Sequence, residues 1–495
     1  MADLNFIELR QKCESWLREG KGSSVVHALS SLNVRQIPRS DRRPLAILAR
    51  RANLVSLGLR ILSPVVHAER NSYRPDVREE EWAEYGILLC QIGSRQEGLK
   101  ILNKIRAVEF PDALLYRAFC HFNQWEYREA LPLLEEYCRH PKLTPYQRAI
   151  GAINLVLANA SCGNDDFAFH ELEKLQAQFK MDNYSRLLAN SIELKAQIEI
   201  KRGRYSEAHA CLEQASQILS EDITSDQLFV EKWKSVLRSI KTKDPQHLHR
   251  FRKTAQEKGG WESVRECDFY LYKLQFDEPI FQFLYFGTPF ESYRKRLLEI
   301  AHSDPGTEYL LGTGASLFEL RSGEFNGQTG LNLGKKIHQF LALMLSDFYK
   351  PFQLGSVFSR VFPGENFNIF SSASRVHQLV FRTRKILKES QLPLSIIERD
   401  GCYHFHLAPG CRIRIHRDIE VGGSELVTLA MLRELFQEQI FSARQVRESL
   451  GLPVSSLARI LRYGLSKGML SQQGSGPKTR YRFQRDTSIK ISRAG

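Results

Sequence analysis

Ser374-Arg-Val-His-Gln-Leu-Val-Phe-Arg-Thr-Arg-Lys-Ile-Leu387 and, after a short gap, Leu394-Ser-Ile-Ile-Glu-Arg-Asp-Gly-Cys-Tyr-His-Phe-His-Leu407 decide how the C-terminal part of this chain folds. In the first piece Val376, Leu379, Val380, Thr383 and Leu387 recur at helical spacing and predict a buried face. Arg375, Gln378, Arg382 and Lys385 fall on the other side and predict a solvent stripe. The second piece is two strands joined by Asp400-Gly401, a hairpin turn signal. Upstream, Lys336, Phe340, Leu341, Met344 and Leu345 predict a first helix, and residues 357–362 a short second one. Pro363-Gly364 breaks the chain before the third helix opens near Ser371, Ser372 and Ser374. A basic helix followed by a β-wing is common hardware for reading DNA.

Residues 306–408 resemble the C-terminal DNA-binding domain of OmpR/PhoB-type response regulators. The match is carried by Ser374–Leu387 with its arginine–lysine end, by Pro393-Leu-Ser-Ile-Ile, and by Gly401-Cys-Tyr403 closing the wing. The resemblance implies a small antiparallel sheet before the first helix, for which Tyr309–Leu311, Ser316–Arg321 and the Gly-rich turns through Leu331 are the candidates. It also implies a third helix in the major groove and a wing on the minor groove or backbone. Two positions depart from the family: Thr383 stands where Leu is usual, and Cys402 is unusual in the wing.

A second pattern spans Glu425 to Phe483. Leu426, Leu429, Leu432, Leu435 and Phe436 predict one helix, and Ser442 is the N-cap candidate for a short helix ending at Leu450. After Gly451-Leu-Pro453, a helix over Val454–Lys467 buries Leu457, Ile460, Leu461 and Leu465 and exposes Ser455, Arg459 and Arg462. The Gly474–Gly476 tip leads into a strand with Lys478, Arg480 and Arg482 on one face and Thr479, Tyr481 and Phe483 on the other. This part resembles a generic MarR/IclR-like winged helix, with Gly468-Met-Leu470 as the step into the wing.

Charge follows the same division. The net charge is +14, and residues 306–495 hold 26 Lys and Arg against 15 Asp and Glu. Residues 1–305 hold 44 against 41, so most of the excess sits in about two-fifths of the chain. A basic face attracts phosphate through counterion release, although Lys and Arg also solvate any small domain.

A chain of 495 residues is too long for one core. No apolar run approaches the ~20 residues that span a bilayer, and Met-Ala-Asp-Leu-Asn-Phe lacks the pattern of an export signal. A cytoplasmic protein without membrane contact is the expectation. The nine cysteines stand singly, without Cys-x-x-Cys spacing, and predict neither a zinc site nor a disulfide framework.

Residues 1–305 are helical by periodicity, and part of them repeats. Trp82, Gly86, Gly98 and Leu102 are followed by Leu114, Ala118, Ala130 and Leu134. Then come Ala152, Val156, Ala168 and Leu172, and last Ile192, Ala196, Ala208 and Leu212. The small residues of the second helices are spaced by 32, 38 and 40 positions. Such residues let paired helices cross closely, and stacked pairs expose a concave groove. The stretch resembles a degenerate tetratricopeptide (TPR) solenoid, most specific over residues 81–219. The fold class expected is therefore mainly α, a TPR-like helical solenoid followed by two α+β winged-helix domains. The expected division is an N-terminal helical region over 1–75, repeats over 76–220, a helical connector over 221–305, and winged helices over 306–418 and 419–487. Phe276, Phe281, Phe283, Tyr285, Phe286, Phe290 and Tyr293 form an aromatic-dense segment, read as core over a ligand pocket or docking surface. His247, His249, Arg250 and Arg252 are read as a solvated helix face.

No catalytic constellation is found. Gly330-Leu-Asn-Leu-Gly-Lys-Lys336 is one residue short of a P-loop and ends in Lys where Ser or Thr would bind magnesium. Gly312-Thr-Gly314 is too short for a dinucleotide fingerprint, and His404, His406 and Cys402 share a strand face without further ligands. The expectation is a non-enzymatic, sequence-specific DNA-binding transcriptional regulator, without cofactor or metal. Its helical repeats would sense a ligand or bind a peptide or protein, and it could act as a homodimer on double-stranded DNA. Arg375, Gln378 and Arg382 would approach base edges or flanking phosphates, while Lys385, Arg399, Arg459, Arg462, Lys478, Arg480 and Arg482 would hold the backbone. The alternative is an interaction scaffold resembling PCI-type proteins, with helical repeats, a winged helix and no nucleic-acid role. RNA is a third partner that the same basic faces would attract.

Overall fold

Small residues at helix crossings and apolar stripes at helical spacing give the first part of the chain its helical pairs. The computed structural model describes residues 6–18, 21–67, 77–219, 225–329, 331–332, 334–392, 394–399, 401–417, 424–450, 452–476 and 479–484. Two units form, one of residues 1–304 with 366–373 and one of residues 305–365 with 374–495. The domain boundaries expected at 75/76, 220/221 and 418/419 lie outside the described residues.

In the first unit α1 (Phe6–Arg18) and α2 (Gly22–Ser30) precede a series of helix pairs. These are α3 (Arg39–Arg51) with α4 (Val55–Val66), α5 (Glu79–Ile92) with α6 (Arg95–Leu102), and α7 (Asp112–Phe122) with α8 (Tyr127–Arg139). Next are α9 (Pro145–Ser161) with α10 (Asp165–Met181), and α11 (Ser185–Lys201) with α12 (Tyr205–Ile218). The series continues through α13 (Ser225–Thr242), α14 (Gln246–Glu257), α15 (Trp261–Gln275), α16 (Glu278–Phe286) and α17 (Glu291–Leu298). First helices of successive pairs also pack together, α3 on α5 on α7, and α9 on α11 on α13 on α15. They form the inner layer of a helical-repeat solenoid.

The repeat residues sit where their size requires. Ala130, Ala168 and Ala208 are fully buried at the crossings, and Leu102, Leu134, Leu172 and Leu212 fill the space beside them. Thr144 and Gln147 cap α9 reciprocally, with Pro145 at its first position. Arg50 joins three first helices: its Nε donates to Glu84 at 2.6 Å, and Tyr116 Oη donates to the same carboxylate at 3.1 Å. The aromatic segment is core, since Phe281, Tyr285, Phe286, Phe290 and Tyr293 are buried among α15, α16 and α17. Phe283 is partly buried, and Phe276 is half exposed at the left-handed cap of α15. On α14, Arg252 pairs with Asp268 at 2.6 Å and His249 is exposed.

The second unit opens with β1 (Glu308–Gly312), β2 (Ser316–Glu319), β3 (Glu324–Phe325) and β4 (Gln328–Thr329). Then follow α18 (Lys336–Met344), β5 (Phe352–Gln353), α19 (Leu354–Val361), α20 (Ser372–Glu389), and the hairpin β6 (Leu394–Arg399) and β7 (Cys402–Leu407). β8 (Cys411–His416) returns to the first sheet, whose order is β1-β8-β2-β3-β4. The sheet expected from residues before the first helix alone is thus corrected: β8 lies between β1 and β2, antiparallel to one and parallel to the other. The turn that admits it needs glycine. Gly312 and Gly314 have φ of +92° and +149°, and a Cβ on Gly314 would come within 2.1 Å of the Gly410 backbone.

The loop before α18 is a structural connection. Gly334 N–H donates to His338 Nδ1 at 3.1 Å, and His338 Nε2 bonds the Leu320 carbonyl oxygen at 2.8 Å, tying sheet to helix. Burial lowers the pKa of this imidazole and keeps it neutral. β5, β7 and β6 form a second sheet, with Ile396 opposite Phe405. Further along, α21 (Ser424–Phe436), α22 (Ala443–Leu450) and α23 (Val454–Ser466) enclose a core with Phe441, Leu470 and Phe483. β9 (Leu470–Gln473) and β10 (Arg480–Phe483) pair antiparallel beside it.

Candidate nucleic-acid interface

α20 buries Val376, Leu379, Val380, Thr383 and Leu387. Thr383 Oγ1 donates to the Leu379 carbonyl oxygen at 2.8 Å, which satisfies the one hydroxyl on that face. The outer side carries Gln378, Arg382 and Lys385, all exposed, and Lys385 Nζ lies 3.6 Å from Glu389. Arg384 is turned to the hairpin, where its Nε donates to the Ile396 carbonyl oxygen at 2.9 Å. That bond sets the hairpin beside the helix.

Arg375 is placed differently from the other three residues of its stripe. It forms an ion pair with Glu365, one N–H donating at 2.9 Å, and its guanidinium lies 4.2 Å from the centroid of the Phe362 ring. Lys336 Nζ lies 3.7 Å from the centroid of the same ring. Arg375 holds the Glu365 carboxyl below its ordinary value, while burial and Arg375 together lower the Lys336 ammonium. Three stripe residues therefore face solvent, and the fourth is neutralised within the unit. Arg399 is exposed at the end of β6, while Asp400 lies outside the described residues.

On the later element Arg459 Nε is 2.7 Å from Glu425 Oε1, and Arg462 is exposed. Arg480 and Arg482 project from the exposed side of β10, with Phe483 buried on the other. Lys478 lies outside the described residues. Periodicity did not single out Phe381, which is 69% exposed on the outer side of α20. An apolar side chain amid Gln378, Arg382 and Lys385 was the available signal. Arg384 carried none, because its partner is a backbone carbonyl.

Among the described residues, no group of three or more His, Cys, Asp or Glu is placed to hold a metal ion. No helix among them is long and apolar enough to cross a membrane.

No protein-family model matches the sequence, and none of the curated proteins does. Two solved structures align with part of the chain. A tetratricopeptide repeat protein from Parabacteroides merdae aligns over 55% of this chain and 99% of its own, with 16% identity and a TM-score of 0.35. Aspartyl phosphate phosphatase F from Bacillus subtilis aligns over 62% and 86%, with 13% identity and a TM-score of 0.38.

Proposed function

We propose that the chain is a DNA-binding regulator whose helical repeats bind a protein or peptide partner. In this reading α18, α19, α20 and the β6–β7 hairpin act as a winged helix, and α21–α23 with β9 and β10 as a second. The observation that carries it is the outer side of α20: Gln378, Arg382 and Lys385 stand exposed on a helix braced to a hairpin by Arg384. Gln378 and Arg382 approach base edges, while Lys385, Arg399, Arg462, Arg480 and Arg482 meet phosphates. Arg375 and Arg459 enter only by exchanging Glu365 and Glu425 for a phosphate.

The test is a mobility-shift titration of the full chain on genomic duplex fragments over a range of salt. Lys385→Ala weakens binding to all duplexes alike and reduces the salt slope by about 1. Arg382→Ala shifts the sequence preference in a selection from randomised duplexes, by about 1–3 kcal/mol at the base it contacts. Wild-type affinity in both variants overturns the assignment.

A second reading, an interaction scaffold, is favoured by the same internal pairs. Arg375 and Arg459 are neutralised, and Phe381, Leu435, Ile440 and Val454 are exposed apolar side chains suited to a protein face. Recovery of a stable protein complex, with no shift of DNA or RNA, selects it.

A further inference from the structure

α13 and α14 pack together, and each turns one stripe of its surface toward a cleft of about 460 Å³ between them. Glu231, Ser235 and Arg238 follow at steps of four and three on α13, and Arg250, Thr254 and Lys258 at steps of four on α14. Helical spacing therefore brings each set to one side of its helix. The apolar part of the lining is Phe251, which is buried, and Leu228, which is half-buried. Arg250 thus faces a concave surface, whereas Arg252 pairs with Asp268.

Among the described residues, the side chains of Arg238, Arg250 and Lys258 make no hydrogen bond or ion pair. Glu231, the carboxylate of the lining, lies 3.4 Å from Lys234, and His247 lies 4.0 Å from Asp244. The hydroxyls are engaged as well. Ser235 Oγ donates to the Glu231 carbonyl oxygen at 2.9 Å, and Thr254 Oγ1 to the Arg250 carbonyl oxygen at 3.3 Å. The donors left for a ligand are therefore mostly charged. A cleft lined by one sign of charge focuses its field and concentrates counter-ions. Guanidinium forks match pairs of phosphate oxygens, and a lysine adds a point charge. The volume suits a small molecule and is larger than a bare phosphate group fills.

We infer that the cleft between α13 and α14 binds a phosphorylated small molecule of about nucleoside-diphosphate size. Arg238 and Arg250 approach the phosphates from the two helices, and Lys258 adds a third positive charge. Leu228 and Phe251 meet the organic body. The site is independent of the α20 stripe and needs neither a DNA nor a peptide partner.

The test is isothermal titration calorimetry of the full chain with ADP, pyrophosphate and adenosine. ADP binds about tenfold or more tightly than either of the other two. Arg238 and Arg250 are exposed, so their replacement leaves the helices folded. Arg238→Gln and Arg250→Gln each weaken ADP binding about tenfold. Thr254→Glu, which puts a carboxylate between Arg250 and Lys258, weakens it at least as much. Lys253→Gln, on α14 but outside the lining, leaves it unchanged. Absence of ADP binding overturns the inference, and so does an equal loss of affinity in Lys253→Gln and Arg250→Gln. Equal affinity for ADP and pyrophosphate overturns it too, leaving a site for inorganic anions only. A weaker mobility shift of DNA by Arg250→Gln, with ADP binding unchanged, assigns the cleft to nucleic acid instead. The DNA-binding reading is decided separately, by the α20 variants.

Discussion

A Cβ on Gly98 would meet the Gly86 carbonyl oxygen and Cys90 Sγ, each at 2.5 Å. The crossing of α5 and α6 depends on the absence of that one carbon. Alanine is intrinsically better in a helix by about 1 kcal/mol, but a clash with backbone cannot be relieved by a rotamer. Gly98→Ala is therefore expected to destabilise the repeats by about 1–3 kcal/mol, read as a lower urea midpoint in far-ultraviolet circular dichroism. A raised midpoint would show that the helices separate at no cost. The glycine was legible in the sequence because small residues at crossings recur. Arg375 was legible only in part. Its helical position follows from spacing, whereas its partner Glu365 lies in the loop before α20, and no periodic rule pairs the two. Thr383 shows the converse: it breaks an apolar pattern in sequence yet costs little, because its hydroxyl finds the carbonyl one turn back.

At the scale of elements, helices were read closely and the sheet was not. α20 has the buried face its sequence predicts, because a periodicity of 3.6 registers burial on one side wherever the helix packs. β8 escaped notice although Cys411, Ile413 and Ile415 alternate as a half-buried strand should. Its place between β1 and β2 depends on pairing across about a hundred residues, which local pattern does not report. α22 offers a local test. Ser442 Oγ accepts from Gln445 N–H at 3.3 Å, and Gln445 Oε1 accepts from Ser442 N–H at 2.8 Å. Ser442→Ala should cost about 1 kcal/mol, seen as earlier loss of amide protection in α22 and α23 by hydrogen exchange. Unchanged protection would show that packing on Val446 alone holds the helix.

Over the molecule as a whole, the charge excess of residues 306–495 was visible by counting, but which charges remain available was not. Glu193 gives this a measurable form. Its folded pKa of about 7 stands above the ordinary carboxyl value of 4.5, so the folded state keeps a proton that the unfolded chain releases. The associated stability is fully present below about pH 4.5 and is lost as pH rises to about 7. Glu193→Gln removes that slope. Its thermal midpoint relative to wild type should rise between about pH 5 and pH 8. A constant difference over that range would mean the carboxyl titrates alike folded and unfolded.

The sequence by itself determined the helices, their buried faces, the small residues at the crossings and the exposed stripe of α20, since each depends on spacing within one element. The tertiary structure alone decided that Glu365 and Glu425 neutralise Arg375 and Arg459, and that β8 enters the first sheet. Those outcomes depend on which distant groups meet after the helices stack. Electrostatic and strand-pairing energies act between such neighbours in space, and sequence spacing carries no record of them.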